Sequence, residues 1–332
     1  MVIFSGIQPT GRKHLGNYIG AILQYVEGQD RGDPAIYCIV DLHATTVAYD
    51  PVDLRRRSQD TAALLVAAGL DPERCVLFRQ GDVPEHSELC WLLSGVTSVG
   101  ALNRMHQFRD KSAAQRERVS AGLLFYPVLM AADVLTYRAH EVPVGEDQRE
   151  HIELMRDVAV DFNKRFGDTL VVPEGNIPTV GARVRDLQEP ERKMSTTGGT
   201  PRGTVYVDEE PAAIVKKFKS AQTDSGREIV RGDDKPGITN LIEILAVVRG
   251  TAPSAIEHDF DGSGYGDFKT AVGEEVAAWL APVRERYLEL REDTAAIEAF
   301  LERGAAKAHA LAAPVVADVR DAMGVGPVRG AA

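Results

Sequence analysis

The chain has 332 residues, 44% of them hydrophobic and 26% charged, with 38 Lys and Arg against 49 Asp and Glu for a formal net charge of −11. This is the composition of a globular protein of roughly two domains, and it excludes disorder as the dominant state. So acidic a chain repels polyanions at long range, which excludes an indiscriminate nucleic-acid coat and requires any nucleic-acid partner to be met by local charge.

Met1 to Gly6 lacks the basic and long apolar regions of a secretion signal, and no stretch reaches the ~18 apolar residues that span a bilayer, so a cytoplasmic protein is expected. Val2 to Phe4 reads as a short buried strand that enters the turn Gly6-Ile7-Gln8-Pro9-Thr10-Gly11, and helical spacing begins near Leu15. Ala35 to Val40 is a continuous apolar run of strand length. A helix follows from about Pro51, with Asp50 as its N-cap and Leu54, Ala62, Leu65 and Ala68 on one face. Cys75 to Phe78 is a further strand, and Leu89, Leu92 and Leu93 mark the next helix. The segment around Ala121 to Tyr137 is apolar apart from Pro127 and the lone acid Asp133. Strand Val142 to Val144 then leads to a helix that starts near Asp147, with Ile152, Met155, Ala159, Phe162 and Phe166 on its apolar face. Strands alternating with helices predict an α/β fold with a doubly wound, parallel, Rossmann-like sheet. From Met194 to Thr204 the text is rich in Gly and Thr, without period, and reads as a mobile loop. Helical patterns at 214–220, 237–249, 268–290 and 295–323 predict a second, mainly α-helical region, giving a division into residues 1–185 and 186–332. Cys38, Cys75 and Cys90 are odd in number and form no CxxC pair, which argues against a disulfide framework or a structural zinc site and predicts buried free thiols; no metal ligand set is expected.

Three features sit where α/β sheets bind ligands. Thr10 to Asn17 lies at the first strand–helix junction, where free helix N–H groups favour an anion and where His14 and Asn17 can donate to phosphate oxygens. The same residues also fit a simple capped first turn. Gly145-Glu146-Asp147-Gln148 follows the Val142 strand and suits ribose hydroxyls or an ammonium, or an ordinary acidic helix start. Arg192 to Thr197 heads the Gly/Thr loop, where Lys193 can close over a polyphosphate, unless the loop is merely solvated. His86, His140, His258 and His309 have no partners at metal-ligand spacing and are expected in surface or capping roles. Arg55 to Arg57 reads as a solvated helix face. The stretch 104–118, with five basic and two acidic residues, is either a phosphate contact or a salt-bridged surface.

Taken together, and in this order, Thr10 to Asn17 and Lys193 to Thr197 resemble the HIGH-type and KMSKS-type signatures of class I aminoacyl-tRNA synthetases. Phe4-Ser5-Gly6-Ile7-Gln8-Pro9-Thr10-Gly11, Gly16 to Ala21, Leu129 to Asp133, Val142 to Gln148 with His151, and Phe162 to Phe166 narrow the resemblance to the bacterial-type tryptophanyl-tRNA synthetase family across nearly the whole chain. The resemblance implies activation of L-tryptophan with ATP and Mg²⁺, transfer to tRNA(Trp), and a homodimer. It implies ATP held by Gln8, Pro9, Thr10, His14, Gly16 and Asn17 on one side and by Gly145, Glu146, Asp147 and Val184 on the other, with Lys193, Met194, Ser195, Thr196 and Thr197 closing over it. His14, Asn17, Lys193 and Ser195 would be catalytic. The amino-acid pocket would comprise Phe4, His43, Tyr126, Met130, Asp133, Val142, Val144 and Gln148. An indole N–H is a donor-only partner for the acceptor-only Asp133 carboxylate, and a ligand without that N–H would leave it unpaired. Three departures stand out: Thr196 occupies the place of a second loop lysine, for which Arg192 is a candidate replacement, Thr197 replaces the final serine, and His14 stands where other members carry threonine. A tyrosyl-type synthetase, a tRNA-independent nucleotidylyltransferase and a regulatory paralogue are the alternatives. The stretch from Ala252 onward carries eight basic and fourteen acidic residues, so only local patches could hold tRNA.

Overall fold

The computed structural model describes residues 1–106, 120–145, 148–176, 184–196 and 198–327. Five strands, β1 (Ile3–Ile7), β2 (Ala35–Ile39), β3 (Val76–Arg79), β4 (Glu141–Pro143) and β5 (Glu174–Asn176), form one parallel sheet in the order β3-β2-β1-β4-β5. The chain winds outward from β1 to β3 and then returns to β4 on the other side. The switch point therefore lies between β1 and β4, and the loops leaving those two strands flank the crevice where such sheets take ligands.

Helices α1 (Leu15–Asn17) and α2 (Leu23–Asp30), joined by a π turn at Tyr18–Ile22, follow β1. Next come α3 (Asp41–Ala44), α4 (Pro51–Ala67), α5 (Glu85–Ser94), α6 (Val99–Arg104), α7 (Ala121–Leu135) and α8 (Arg149–Phe166). Beyond the sheet lie α9 (Pro211–Lys219), α10 (Pro236–Arg249), α11 (Pro253–Asp259), α12 (Tyr265–Leu290) and α13 (Thr294–Met323). The Asp50 carboxylate accepts from Asp53 N at 2.8 Å and caps α4 as its sequence predicts.

Strand β2 has no polar face because both its sides are covered. Tyr37 and Ile39 enter an apolar cluster with α2, α4 and helices α9, α10 and α12, whereas Ile36 and Cys38 enter a second with α5, α7, α8 and much of α13. Helix α13 spans both clusters, Leu301 lying in the first and Ala308 in the second, and it lies along the edge strand β3. A Cβ on Gly304 would stand 1.8 Å from the Leu77 carbonyl oxygen, so this helix reaches the strand backbone only because that side chain is missing. The edge is thereby closed against further pairing.

Strand β5 and helices α3, α6 and α11 carry no clear pattern in the sequence. Glu174-Gly175-Asn176 is exposed and polar, and tertiary groups hold it: it pairs with β4, Asn176 donates to Glu141 at 2.8 Å, and Gly175 lets the strand approach Ile152. The three cysteines are buried and free, and burial raises the Cys75 and Cys90 thiols to about 12, so they are protonated and inert at neutral pH. Among the described residues no helix is long and apolar enough to cross a membrane.

Gly304→Ala should cost about 1–3 kcal/mol of stability by forcing α13 off β3. Urea unfolding reads this directly; an unchanged midpoint would show that the helix does not depend on that close approach.

Candidate active site

Strand β1 ends at Ile7, and the chain turns through Gln8-Pro9-Thr10-Gly11. Gly11 has φ +63°, a left-handed backbone that favours glycine, and a Cβ there would also meet Thr196 at 2.6 Å. His14 is the N-cap of α1. Its Nδ1 accepts from Asn17 N at 3.3 Å while Asn17 Oδ1 accepts from His14 N at 3.1 Å, a reciprocal capping box. Burial, followed by the charges of Lys193 and Lys13, lowers the imidazole to about 4. The ring is therefore neutral at pH 7, and because Nδ1 is an acceptor the proton sits on Nε2. Asn17 similarly uses its carbonyl internally, and its side chain lines a cavity with Gln8 and Thr10. Gly16 lets the His14 ring lie close, since a Cβ would come within 3.0 Å of it, and the buried Val184 closes the other side at 3.5 Å.

The Gly/Thr loop docks on this turn. Leu15 N donates to Val205 O at 2.8 Å and Val207 N to Lys13 O at 3.0 Å. Arg12 makes a bidentate pair with Asp208, nearest approach 2.7 Å, and its guanidinium lies 4.2 Å above the Tyr206 ring. Thr196 Oγ1 donates to Arg12 O at 3.0 Å. Asp186, 1% exposed, organises the loop from within: its carboxylate accepts from the backbone N–H groups of Gln188, Glu189 and Thr200 and from the Thr200 hydroxyl. Gly203 is required there, since a Cβ would fall 1.7 Å from Asp186 Oδ1. Met194 is buried and donates its N–H to Val184 O at 3.0 Å, and Lys193 bridges to Arg185. The segment expected to be mobile is thus tied at several points.

Gln8, Pro9, Thr10, His14, Asn17, Ser195 and Thr196 line one cavity of about 740 Å³, and Lys13 and Arg57 line it too. Arg57, expected on a solvated face, is half-buried at this wall. Arg192 does not line the cavity: it pairs with Glu189 at 2.5 Å at the surface, which counts against it as replacement for a second loop lysine. The buried cation is Lys13, 8% exposed, whose Nζ donates to Gln8 O at 2.6 Å and Thr10 O at 3.3 Å. Burial, with Arg57 alongside, lowers it to about 8.

At the carboxyl ends of β2 and β3 lies a second polar cluster. Asp133 on α7 is 2% exposed and accepts three hydrogen bonds: His43 Nε2 at 2.8 Å on Oδ2, and Gln80 Nε2 at 2.6 Å and His86 Nδ1 at 2.7 Å on Oδ1. Burial alone would raise this carboxyl, but the hydrogen bonds from His43 and His86 outweigh it and hold the group below its usual range. Burial keeps Tyr137 protonated, so its hydroxyl donates to His86 Nε2 at 2.7 Å and leaves Nδ1–H for the carboxylate. The expectation for His86 is overturned: it is fully buried and holds the candidate specificity acid. Neither His86 nor Gln80 carries a local signal, because their partner is 47 and 53 residues away. Asp133 is also already satisfied by the protein, and among the described residues one of its roughly four acceptor positions, on Oδ2, is left without a donor. A ligand lacking an N–H therefore forfeits one bond rather than stranding a bare charge.

Tyr126 meets His43 edge-on at 6.1 Å between ring centres, and its hydroxyl lies 2.9 Å from His151 Nε2. Met130, half-buried, is one turn before Asp133 on α7. Phe4 stacks on Tyr137 at 5.5 Å, and both it and Val142 are closed into the second apolar cluster. Val144 N donates to Asn176 O and Gln148 N to Gly145 O, which sets the start of α8 at Arg149. Glu146, Asp147, Thr197 and most of the basic stretch 104–118 lie outside the described residues.

A family model described as tRNA synthetases class I (W and Y) matches residues 1–281. The chain is 48% identical over 331 residues to tryptophan–tRNA ligase 2 of Streptomyces avermitilis, covering 98% of each chain. Among solved structures, the tryptophanyl-tRNA synthetase of Mycoplasma pneumoniae superposes with a TM-score of 0.91 at 32% identity over 98% of each chain. That of Campylobacter jejuni, complexed with ADP and tryptophan, superposes with a TM-score of 0.81 at 33% identity, covering 98% of this chain and 100% of that one.

His86→Leu should cost about 3 kcal/mol, because it removes a donor from a buried carboxylate and an acceptor from Tyr137, whereas Tyr137→Phe should cost about 1 kcal/mol. Asp133, with its lowered pKa, stabilises the fold above the unfolded-state value of roughly 4 and loses that contribution as pH falls through the folded value. The His86 variant narrows that difference and should unfold at higher pH in an acid titration followed by circular dichroism; a coincident acid transition would contradict the assignment.

Proposed function

The chain belongs to the class I tRNA synthetases of the tryptophan and tyrosine group, and from that premise we propose that it is a tryptophan–tRNA ligase. Its substrates are L-tryptophan, ATP and tRNA(Trp). An oxygen of the tryptophan carboxylate attacks the α-phosphorus of ATP, the bond from that phosphorus to the bridging oxygen breaks, and pyrophosphate leaves with the electron pair. The 2′-hydroxyl of the terminal tRNA ribose then attacks the adenylate carbonyl and AMP departs. No protein nucleophile takes part, so the side chains position groups and stabilise charge.

The observation that carries the proposal is the single cavity in which Gln8, Thr10, His14 and Asn17 face Ser195 and Thr196. Neutral His14 donates through Nε2–H and Asn17 through its amide to phosphate oxygens, Gly16 gives room for the nucleotide, and Lys193 adds charge. Gly145 to Asp147 and Val184 take the nucleoside side. Tryptophan lies in the pocket of Phe4, His43, Tyr126, Met130, Val142, Val144 and Gln148, its indole N–H on the open acceptor position of Asp133. Among the described residues no three His, Cys, Asp or Glu side chains come together as a metal cage; Mg²⁺ bound together with ATP would supply Lewis-acid charge at the phosphates. Residues 1–185 are the catalytic domain and 186–332 the loop and the helical region that meets tRNA, with α13 anchored back on the sheet. The protein is a cytoplasmic homodimer.

Purified protein should catalyse exchange of label between pyrophosphate and ATP with tryptophan and then charge tRNA(Trp). Asp133→Ala should lower kcat/KM for tryptophan by about 10²-fold or more. Exchange supported by tyrosine alone, or no exchange with either amino acid, would overturn the proposal.

A further inference from the structure

Among the described residues Lys13 is a buried cation without a counter-ion. The carboxylates that line cavities with it are engaged elsewhere: Asp208 by Arg12, Asp53 by Arg56 and Arg57, Asp60 by Arg56 and Arg291, and Asp50 by the backbone N–H of Asp53. The ammonium has three protons, of which the Gln8 and Thr10 carbonyls take two, and the third meets no acceptor among the described residues. Its surroundings are also cationic. Arg57, on the wall of the same cavity, opposes its charge, and Lys193 and Lys13 add to burial in suppressing protonation of His14.

Stapling two carbonyls of a turn needs hydrogen-bond donors but no charge. An ammonium buried among other cations is an expensive way to do it, because both desolvation and repulsion oppose the charged form. The arrangement makes sense once an anion occupies the cavity that Lys13 lines with His14, Asn17, Ser195 and Thr196. On that loop Thr196 presents a hydroxyl already bonded to Arg12 O, so no charge comes from position 196.

We propose that Lys13 is a catalytic residue of the nucleotide site, binding the β- and γ-phosphates of ATP and taking up the charge that develops on pyrophosphate as its bond to the α-phosphorus breaks. This rests on the reading of the cavity as an ATP site. Lys13 supplies from the first turn the second cation that the Gly/Thr loop lacks, and the Gln8 and Thr10 carbonyls fix its direction before the nucleotide arrives.

Lys13→Met keeps the apolar stem and removes the charge. Tryptophan-dependent pyrophosphate exchange should fall about 10²-fold while the KM for tryptophan changes less than about threefold. Lys13→Met combined with Thr196→Lys, which puts a cation on the facing wall of the same cavity, should recover at least about tenfold of the loss. A Lys13→Met rate within threefold of wild type, or a double variant no faster than the single one, means that Lys13 only staples the turn and overturns the proposal. A second measurement needs neither mutation nor turnover. Inorganic pyrophosphate should slow reductive methylation of Lys13 in the wild-type protein, read by peptide mass spectrometry, and equal labelling with and without it would also overturn the proposal. Wild-type protein that exchanges nothing while pyrophosphate still protects Lys13 would overturn the ligase reading and leave the anion site standing.

Discussion

An ionised carboxylate sealed from water fixes one end of this molecule. Asp133 cannot be solvated, so the fold must deliver its hydrogen-bond donors, and it does so from three places: His43 just after β2, Gln80 just after β3, and His86 on α5. All three follow the carboxyl ends of neighbouring strands. One charge on α7 thus determines how α3, α5 and the β3 turn meet above the sheet. In a low-dielectric interior each of these bonds is stronger than in water, and losing any one of them costs more than the bond's net contribution. The same arrangement has a chemical result. A carboxylate held by three protein donors cannot rotate to suit a poor ligand, and its one open acceptor position points where those bonds leave it.

The nucleotide cavity follows the opposite electrostatic logic. Around Asp133 the charge is met by hydrogen bonds from the protein; around His14 the buried Lys13 has a further cation, Arg57, beside it. Arg57 adds to burial in lowering Lys13, and Lys193 and Lys13 add to burial in lowering the His14 imidazole, while Asp208 is held by Arg12 and Asp53 by Arg56 and Arg57. In the proposed reading, such a site is destabilising when empty and becomes favourable when a polyphosphate fills it. The overall charge of −11 coexists with this because it acts at long range, where it discourages indiscriminate polyanion binding, whereas the cavity acts within a few ångströms on groups already oriented.

What the sequence made legible depends on the range of the interaction concerned. Helices with local signals were placed within a few residues: Asp50 and Pro51 start α4, and the apolar repeat from Ile152 to Phe162 is the buried face of α8. Strand β2 was clear because burial on both sides leaves an unbroken apolar run. Strand β5 was invisible because three polar residues become a strand only through pairing with β4. Among candidate site residues, those in the first turn and the Gly/Thr loop stand in compact local patterns, and they meet in one cavity. His86, Gln80 and Asp186 were missed because each acts on or through a partner that only the tertiary fold brings near. Lys13 lies within the first pattern, where nothing in the sequence singles it out. Its burial, which sequence does not show, is what distinguishes it.

The contact between the two loops separates two tasks that a single lysine-rich loop would combine. Holding the Gly/Thr loop over the cavity falls to uncharged or internally paired groups: Thr196 on Arg12 O, Met194 in the core, the Asp186 carboxylate filled by backbone N–H groups, and Arg12 locked to Asp208. None of these needs the nucleotide's charge. A hydroxyl-to-carbonyl bond is insensitive to salt and does not titrate, so loop position is set before any phosphate enters. In the proposed reading, neutralisation falls instead to Lys193 and to Lys13 on the opposite wall. The loop can then close without a second lysine, because the turn onto which it closes already contains a buried one.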